Sequence, residues 1–336
     1  MMILLRKYLF VAVVAFAVGL GAIAVTGAQQ PKPKPTPMPV SQDQDTVTVR
    51  INRVRLPITV KDKKDRFISG LKKEDFQILE DKVAQQIETF NDDIGQALPL
   101  YVGVLMDTSP STAGKLKFEQ ESAMNFIQTV VRPRKDRVFF ATFDDEINLR
   151  QDFTDRLDLL EKAVSSVKKL GKQTALYDAV WQFCDEKMRS VSGRRVLVVI
   201  TDGEDTYSRA VLRDAVDIAQ RTETTIFAIS TKAGFSGAVP GVEMGQVRDA
   251  NDRDMVKLSE ETGGAAFFSG DMLTLERAFT KIARELRAQY LITYRPTNDR
   301  YDGSYRRIDV KLAGGRSDLN VRTKKGYSAI ADAVKP

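Results

Sequence analysis

Two runs of the 336-residue sequence, LPLYVGVLMD at 98 to 107 and RVLVVITD at 195 to 202, are apolar almost throughout, and each ends in an aspartate. A strand apolar at both odd and even positions is buried on both faces, which is the environment of a parallel sheet covered by helices. The residues around the two runs agree. A helical pattern spans 115 to 131, with Leu116, Phe118, Ala123, Phe126, Ile127 and Val130 on its buried side. RVFFATF (137 to 143) reads as a further strand, EINLRQDF as an edge strand, and 155 to 169 and 175 to 190 as helices. A helix over 208 to 221, a strand TTIFAIS (224 to 230), a helix over 252 to 261, a strand GGAAFFS (263 to 269) and a long helix over 271 to 287 follow. Alternation of this kind predicts an α/β fold with a doubly wound, mostly parallel sheet across residues 97 to 287. Such sheets bind ligands beyond the carboxyl ends of their strands, where Asp107 and Asp202 stand.

The flanks follow a different period. In residues 46 to 96, Val47, Val49 and Ile51 alternate with polar residues, LPITV (56 to 60) leads into the charged turn KDKKDR, and FQILE (76 to 80) and AQQIETF (84 to 90) complete about four short strands. Residues 288 to 330 read the same way, as AQYLITYRP, YRRIDVKL (305 to 312) and LNVRTKKGY (319 to 327). Neither flank is large enough to bury a core alone. The expectation is one small β-sandwich made of both, with the central region inserted; two separate β appendages are the alternative.

Ahead of these, Arg6 and Lys7 precede an uncharged run from Tyr8 to Val25, followed by small residues to Ala28. Residues 1 to 28 have the pattern of an export signal. Eighteen helical residues also reach roughly 27 Å, enough for an uncleaved membrane anchor. Either way the remainder is expected outside the cytoplasm, in the periplasm, cell envelope or medium, or tethered to the inner membrane. Residues 29 to 45 begin with QQPKPKPTPMP and read as an extended proline-rich linker.

Composition removes several chemistries. With no histidine and one cysteine, Cys184, the chain has no Ser-His-Asp or Cys-His nucleophile, no His-ligated metal site and no internal disulfide. Residues 1 to 39 hold four bases and no acid, so only +2 of the formal +6 charge belongs to residues 40 to 336. Nothing in that balance calls for nucleic acid.

Oxygen donors remain. Asp107, Ser109 and Ser111 occupy alternate positions of the loop that leaves the first apolar strand, Thr174 lies at a loop-to-helix junction in GKQTALYDAV, and Asp202 stands in ITDGEDT. Two carboxylates and three hydroxyls suit a hard divalent cation, magnesium above all. The loop DTSPSTAG lacks the GxGxxG of a dinucleotide site. On these residues the chain resembles a von Willebrand factor type A domain, whose metal-ion-dependent adhesion site has the pattern D-x-S-x-S, then T, then D. All five positions match, in order. The stretch VTVKDKKDRFISGLKKEDFQILEDKVAQQIETF is also similar to the β-rich preface of the exported von Willebrand factor type A-related proteins of Acidobacteria.

The resemblance implies a Rossmann-like sheet carrying a binding module rather than an enzyme. Mg²⁺, or Mn²⁺ or Ca²⁺ in its place, would sit on Asp107, Ser109, Ser111, Thr174 and Asp202. A protein partner would complete its coordination with a carboxylate, giving metal-dependent adhesion or protein binding in the bacterial envelope. Two rivals are a metal-dependent hydrolase, for which Glu204 and Asp205 are the only nearby bases, and an envelope component that the metal merely stiffens. Plainer roles are expected around the site. Asp144 and Asp145 turn the edge hairpin, Glu204 and Asp205 are solvated loop acids, Trp181 and Cys184 belong to the core or its rim, and Tyr177 either shapes the rim or packs.

Overall fold

The computed structural model describes residues 53–330 apart from 93–97, 113, 169, 232–248, 269–271 and 317. The export segment, the linker and the strand expected over Val47 to Ile51 lie outside the described residues. No helix among the described residues is long and apolar enough to cross a membrane.

The chain opens with β1 (Val54–Asp62), β2 (Phe76–Glu80), β3 (Val83–Gln85) and β4 (Ile87–Asn91). The central region follows as β5 (Leu100–Asp107), α1 (Leu116–Val130), β6 (Arg137–Phe143), β7 (Ile147–Thr154), α2 (Leu157–Ser165) and α3 (Leu176–Phe183), which runs on as a π turn, Cys184–Met188. Then come β8 (Arg194–Thr201), α4 (Leu212–Arg221), β9 (Thr224–Ser230), α5 (Ala250–Glu261), β10 (Ala266–Phe268) and α6 (Met272–Ala288). β11 (Tyr290–Tyr294), β12 (Tyr305–Leu312), β13 (Leu319–Arg322) and β14 (Gly326–Ser328) complete it.

The central sheet has the order β10-β9-β8-β5-β6-β7, parallel except for β7, which pairs antiparallel with β6. The two runs singled out by hydrophobicity, β5 and β8, are neighbours in its middle, in register from Leu100 opposite Arg194 to Met106 opposite Ile200. Leu100, Val102, Val104 and Met106 point to the face covered by α1, α2 and α6, through side chains such as Phe126, Leu160 and Phe279. Leu105 points to the other, with Phe183 of α3 and Ala215 of α4. The mostly parallel α/β sheet expected from the apolar runs is therefore the one observed.

Gly103 interrupts the β5 run for a packing reason. A Cβ there would come within 2.3 Å of Phe139 Cζ and 2.4 Å of Leu197 Cδ2, so the missing side chain is the space into which the neighbouring strands' larger ones fit.

Two further antiparallel sheets have the orders β13-β1-β11-β4 and β14-β12-β2-β3, so strands from before and after the central region share both. Leu56, Ile58, Phe76, Ile78, Tyr290, Ile292 and Ile308 form their common core. Glu80 and Arg306 are buried within it, Glu80 accepting hydrogen bonds from Tyr294 (2.6 Å) and Tyr327 (3.0 Å). α6 is tied to this body by buried Glu285, which accepts from Thr59 Oγ1 (3.2 Å) and from Arg322.

Some local expectations shift. The strand expected over 84 to 90 divides into β3 and β4 at Gln86, the helix expected over 155 to 169 ends at Ser165, and that over 175 to 190 loosens into the π turn. Trp181 on α3 is 44% exposed rather than part of the core, whereas Cys184 is fully buried.

Because Phe139 and Leu197 fill the space above Gly103, Gly103→Ala overpacks the centre of the sheet. It should lower stability by about 1–3 kcal/mol, read as a reduced urea midpoint with an unchanged slope. An unshifted midpoint would show that this contact relaxes without strain.

Candidate metal centre

Asp107 ends β5 and Asp202 comes one residue after β8, so the register of the two central strands sets both carboxylates at the same edge of the sheet. The order β8-β5-β6 places them at the switch point, where successive connections leave in opposite directions.

Asp107 is wholly buried. The Ser109 amide donates to its Oδ1 (2.8 Å) and the Thr201 hydroxyl to its Oδ2 (2.6 Å). The chain then turns through a 3-10 segment, Pro110–Thr112, closed by Thr112 Oγ1 donating to the Ser109 carbonyl (2.8 Å). That turn brings Ser109 Oγ and Ser111 Oγ to 3.0 Å of each other. On the β8 side Gly203 adopts φ +85, a left-handed turn that favours glycine, and its amide donates to Thr201 Oγ1 (3.0 Å).

Thr174 is carried by a different loop and joined to the Asp202 loop by backbone. Its carbonyl accepts from the amides of Thr206 and Tyr207 (2.9 Å each), and its own amide donates to Thr206 Oγ1 (3.0 Å). All five residues picked from the sequence thus belong to three loops at one end of the sheet.

The electrostatics are those of a site short of positive charge. Burial pushes the Asp107 carboxyl up to about 6 despite the bonds from Thr201 and Ser109, and the nearby Asp202 adds to the rise. A divalent cation matches the charge of two such carboxylates, and the hard oxygen set suits magnesium or calcium better than a softer ion. Among the described residues no three acidic, histidine or cysteine side chains gather to hold a metal, so a cation here depends on the hydroxyls as well.

Several side chains that hold the loops were given plainer roles by sequence reasoning. Asp144 does turn the hairpin, accepting from the Glu146 amide (2.8 Å), but its Oδ2 also accepts from Thr108 Oγ1 (2.6 Å), on the loop that leaves β5. Its carbonyl accepts from the Ala175 amide (2.9 Å), beside Thr174. Asp205 is no solvated loop acid, since Oδ1 accepts from the Leu176 amide (2.8 Å) and from Ser208 Oγ (2.6 Å), capping the first turn of α3. Tyr177 packs, with its hydroxyl donating to Asp254 (3.2 Å). Glu204 is exposed.

Glu119, in the first turn of α1, was not anticipated at all. It is fully buried, with Oε1 accepting from Thr231 Oγ1 (2.9 Å) and Oε2 without a partner among the described residues. Burial pushes its carboxyl up to about 9 against the Thr231 bond, and the fields of Asp107 and Asp202 push the same way. An acid one turn into an amphipathic helix reads from sequence as a dipole partner facing water, and only the fold turns it inward.

A family model, von Willebrand factor type A domain, matches residues 102–281, more than half of the chain. The chain belongs to that family. Similar solved structures include a von Willebrand factor type A protein from Catenulispora acidiphila, 13% identical, covering 82% of this chain and 74% of that one with a TM-score of 0.47. An aerotolerance-related membrane protein from Bacteroides fragilis is 16% identical over 56% of this chain and 98% of its own, at a TM-score of 0.45. The mussel byssus proximal thread matrix protein 1, solved with zinc in its MIDAS motif, is 14% identical over 62% of this chain and 49% of its own, also at 0.45. No curated protein sequence matches.

Glu119 makes the metal-free fold sensitive to alkali. Its folded-state pKa is raised, so its protonated form is the one the fold accommodates; stability is complete at acid pH and is lost as pH climbs from the ordinary glutamate range towards about 9. Glu119→Gln removes this dependence. Its advantage over wild type in metal-free urea unfolding should grow between pH 5 and 9, by at most about 1.4 kcal/mol per pH unit. A constant difference across that range would contradict a neutral buried carboxyl.

Proposed function

We propose that the chain is a divalent-cation-dependent protein-binding module that works outside the cytoplasm. Asp107, Ser109, Ser111, Thr174 and Asp202 hold Mg²⁺, and an acidic side chain of a protein partner completes its coordination. What supports this reading is that Asp107 and Asp202 stand at the same end of adjacent central strands, with Ser109 Oγ and Ser111 Oγ 3.0 Å apart on the loop after Asp107 and the Thr174 backbone bonded to the loop after Asp202.

The charge balance supports a binding role. Two carboxylates neutralise a divalent cation without overcompensating it, and three neutral hydroxyls leave it able to attract another anionic oxygen. Positions that the chain does not fill would go to water or to the partner. Asp205, one of the two acids within reach of acting as a base, is committed to capping α3, which speaks for binding over hydrolysis. Export rests on the amino-terminal sequence pattern, and adhesion in the envelope is the context that pattern suggests.

Calorimetric titration with Mg²⁺ and Mn²⁺, paired with capture from envelope extract with and without chelator, tests the proposal. Asp107→Ala deletes one of two charged ligands and should weaken metal binding at least tenfold, roughly 1.4 kcal/mol or more. Thr174→Ala deletes a neutral donor, so its loss of metal affinity should be smaller while capture still falls. Undiminished, chelator-insensitive capture by Asp107→Ala would mean that the metal site is not the binding surface.

A further inference from the structure

At the opposite end of the central sheet, where β8 and β9 begin, the central region faces the β14 segment across a cavity of about 290 Å³. β8 separates this cavity from the metal loops by roughly 23 Å of strand. Its wall carries five cations, Arg53, Arg189, Arg195, Arg221 and Lys324, against one carboxylate, Glu223.

Four of the cations have visible counterparts. Arg53 pairs with Glu88 (2.8 Å), Arg189 with Asp185 (2.6 Å) and Arg221 with Asp217 (4.0 Å). Arg195 donates to the carbonyls of Val191 and Thr222 (2.7 Å each). Glu223 is already engaged by Arg55, whose Nε donates to it at 2.6 Å.

Lys324 differs. It is 6% exposed, and among the described residues its ammonium has no hydrogen bond and no ion pair, only the Tyr327 ring with its centroid 5.6 Å away. Burial holds its pKa below the usual lysine value, with Glu223 opposing that shift and Arg55 adding to it. Its backbone is pinned, which holds the side chain at the cavity wall. The Lys325 amide donates to the Glu261 carbonyl (3.1 Å), and Gly263 passes so close that a Cβ there would lie 2.8 Å from the Lys324 nitrogen.

Lys324 also lines a second cavity of about 720 Å³, with Leu212, Val216, Ile308 and Val310 among its walls. One cation without an ion pair among the described residues therefore stands between a small arginine-lined chamber and a larger, partly apolar cleft.

We propose that the small chamber is a binding site for a phosphate-class oxyanion, held by Lys324 and the surrounding guanidinium groups, with room in the larger cleft for the organic part of a phosphate monoester. A tetrahedral dianion accepts donors from several directions at once and offers Lys324 the ion pair it lacks among the described residues, which one planar carboxylate does less well. The proposal uses none of the metal-site residues and is independent of the function proposed above.

Thermal unfolding and calorimetry of the metal-stripped full chain, with inorganic phosphate, glycerol 3-phosphate and chloride at matched ionic strength, provide the test. Phosphate should bind with a Kd of about 1 mM or tighter and raise the unfolding temperature, and chloride should not. Lys324→Met should raise the unfolding temperature without phosphate, because it removes a poorly hydrated charge that has no ion pair, and should weaken phosphate binding at least tenfold. Glu223→Gln, which removes the chamber's carboxylate, should tighten phosphate binding several-fold and gives a second reading should the methionine variant fold poorly. Tighter binding of glycerol 3-phosphate than of phosphate would identify a monoester as the ligand class, and equal binding would identify free phosphate. Absence of a phosphate effect beyond chloride, or equal phosphate affinity in wild type and both variants, would overturn the site.

Discussion

Two carboxylates buried at the ends of adjacent strands are the constraint around which the central region is arranged. Asp107 and Asp202 repel each other where water is scarce, so each must be supplied with donors by its own loop. The Thr201 hydroxyl shows how closely this is built. It donates to Asp107 from the neighbouring strand and accepts from Gly203 in the turn beyond, joining both acid loops through one oxygen. These bonds lower the cost of burying Asp107 but offset it only in part, so that its carboxyl is pushed up to about 6.

The third loop is held from outside. Asp144 binds Thr108 with its side chain and Ala175 with its carbonyl, and the Gly171 amide donates to the Thr108 carbonyl (2.8 Å). A side chain at Gly171 would collide with Asp144, its Cβ meeting Cγ at 2.3 Å. Asp205 then caps the helix that follows Thr174. Thr174 is therefore placed by two aspartates that are not proposed as ligands, and movement of either loop would alter the distance from its hydroxyl to the two acids.

The antiparallel sheets lie against the side of the central region away from the metal loops, through contacts of a different kind. Glu285 of α6 reaches Thr59 and Arg322, and Glu261 of α5 accepts the Lys325 amide. These polar contacts leave cavities between them, and the uncompensated charge of Lys324 falls in that gap. The proposed metal centre and the proposed anion chamber thus lie at the two ends of the same central strands.

Much of this was legible in the residues. Largely apolar runs ending in Asp107 and Asp202, set among helical patterns, pointed to a parallel sheet buried on both faces, because helices on either side cover such strands, and the alternation of Asp107, Ser109 and Ser111 marked the loop. Side-chain period distinguished β12 and β2 from the central strands for the same reason, one face being wet. What sequence could not decide was the direction of individual polar side chains. Glu119, Asp144, Asp205 and Lys324 all look like surface residues in a linear reading, since acids and lysines default to water. Only the tertiary structure encloses them, by bringing Thr231, Thr108, the start of α3 and the Tyr327 ring to their sides. Burial of a polar group depends on partners remote in the chain, and local propensity carries no information about those partners.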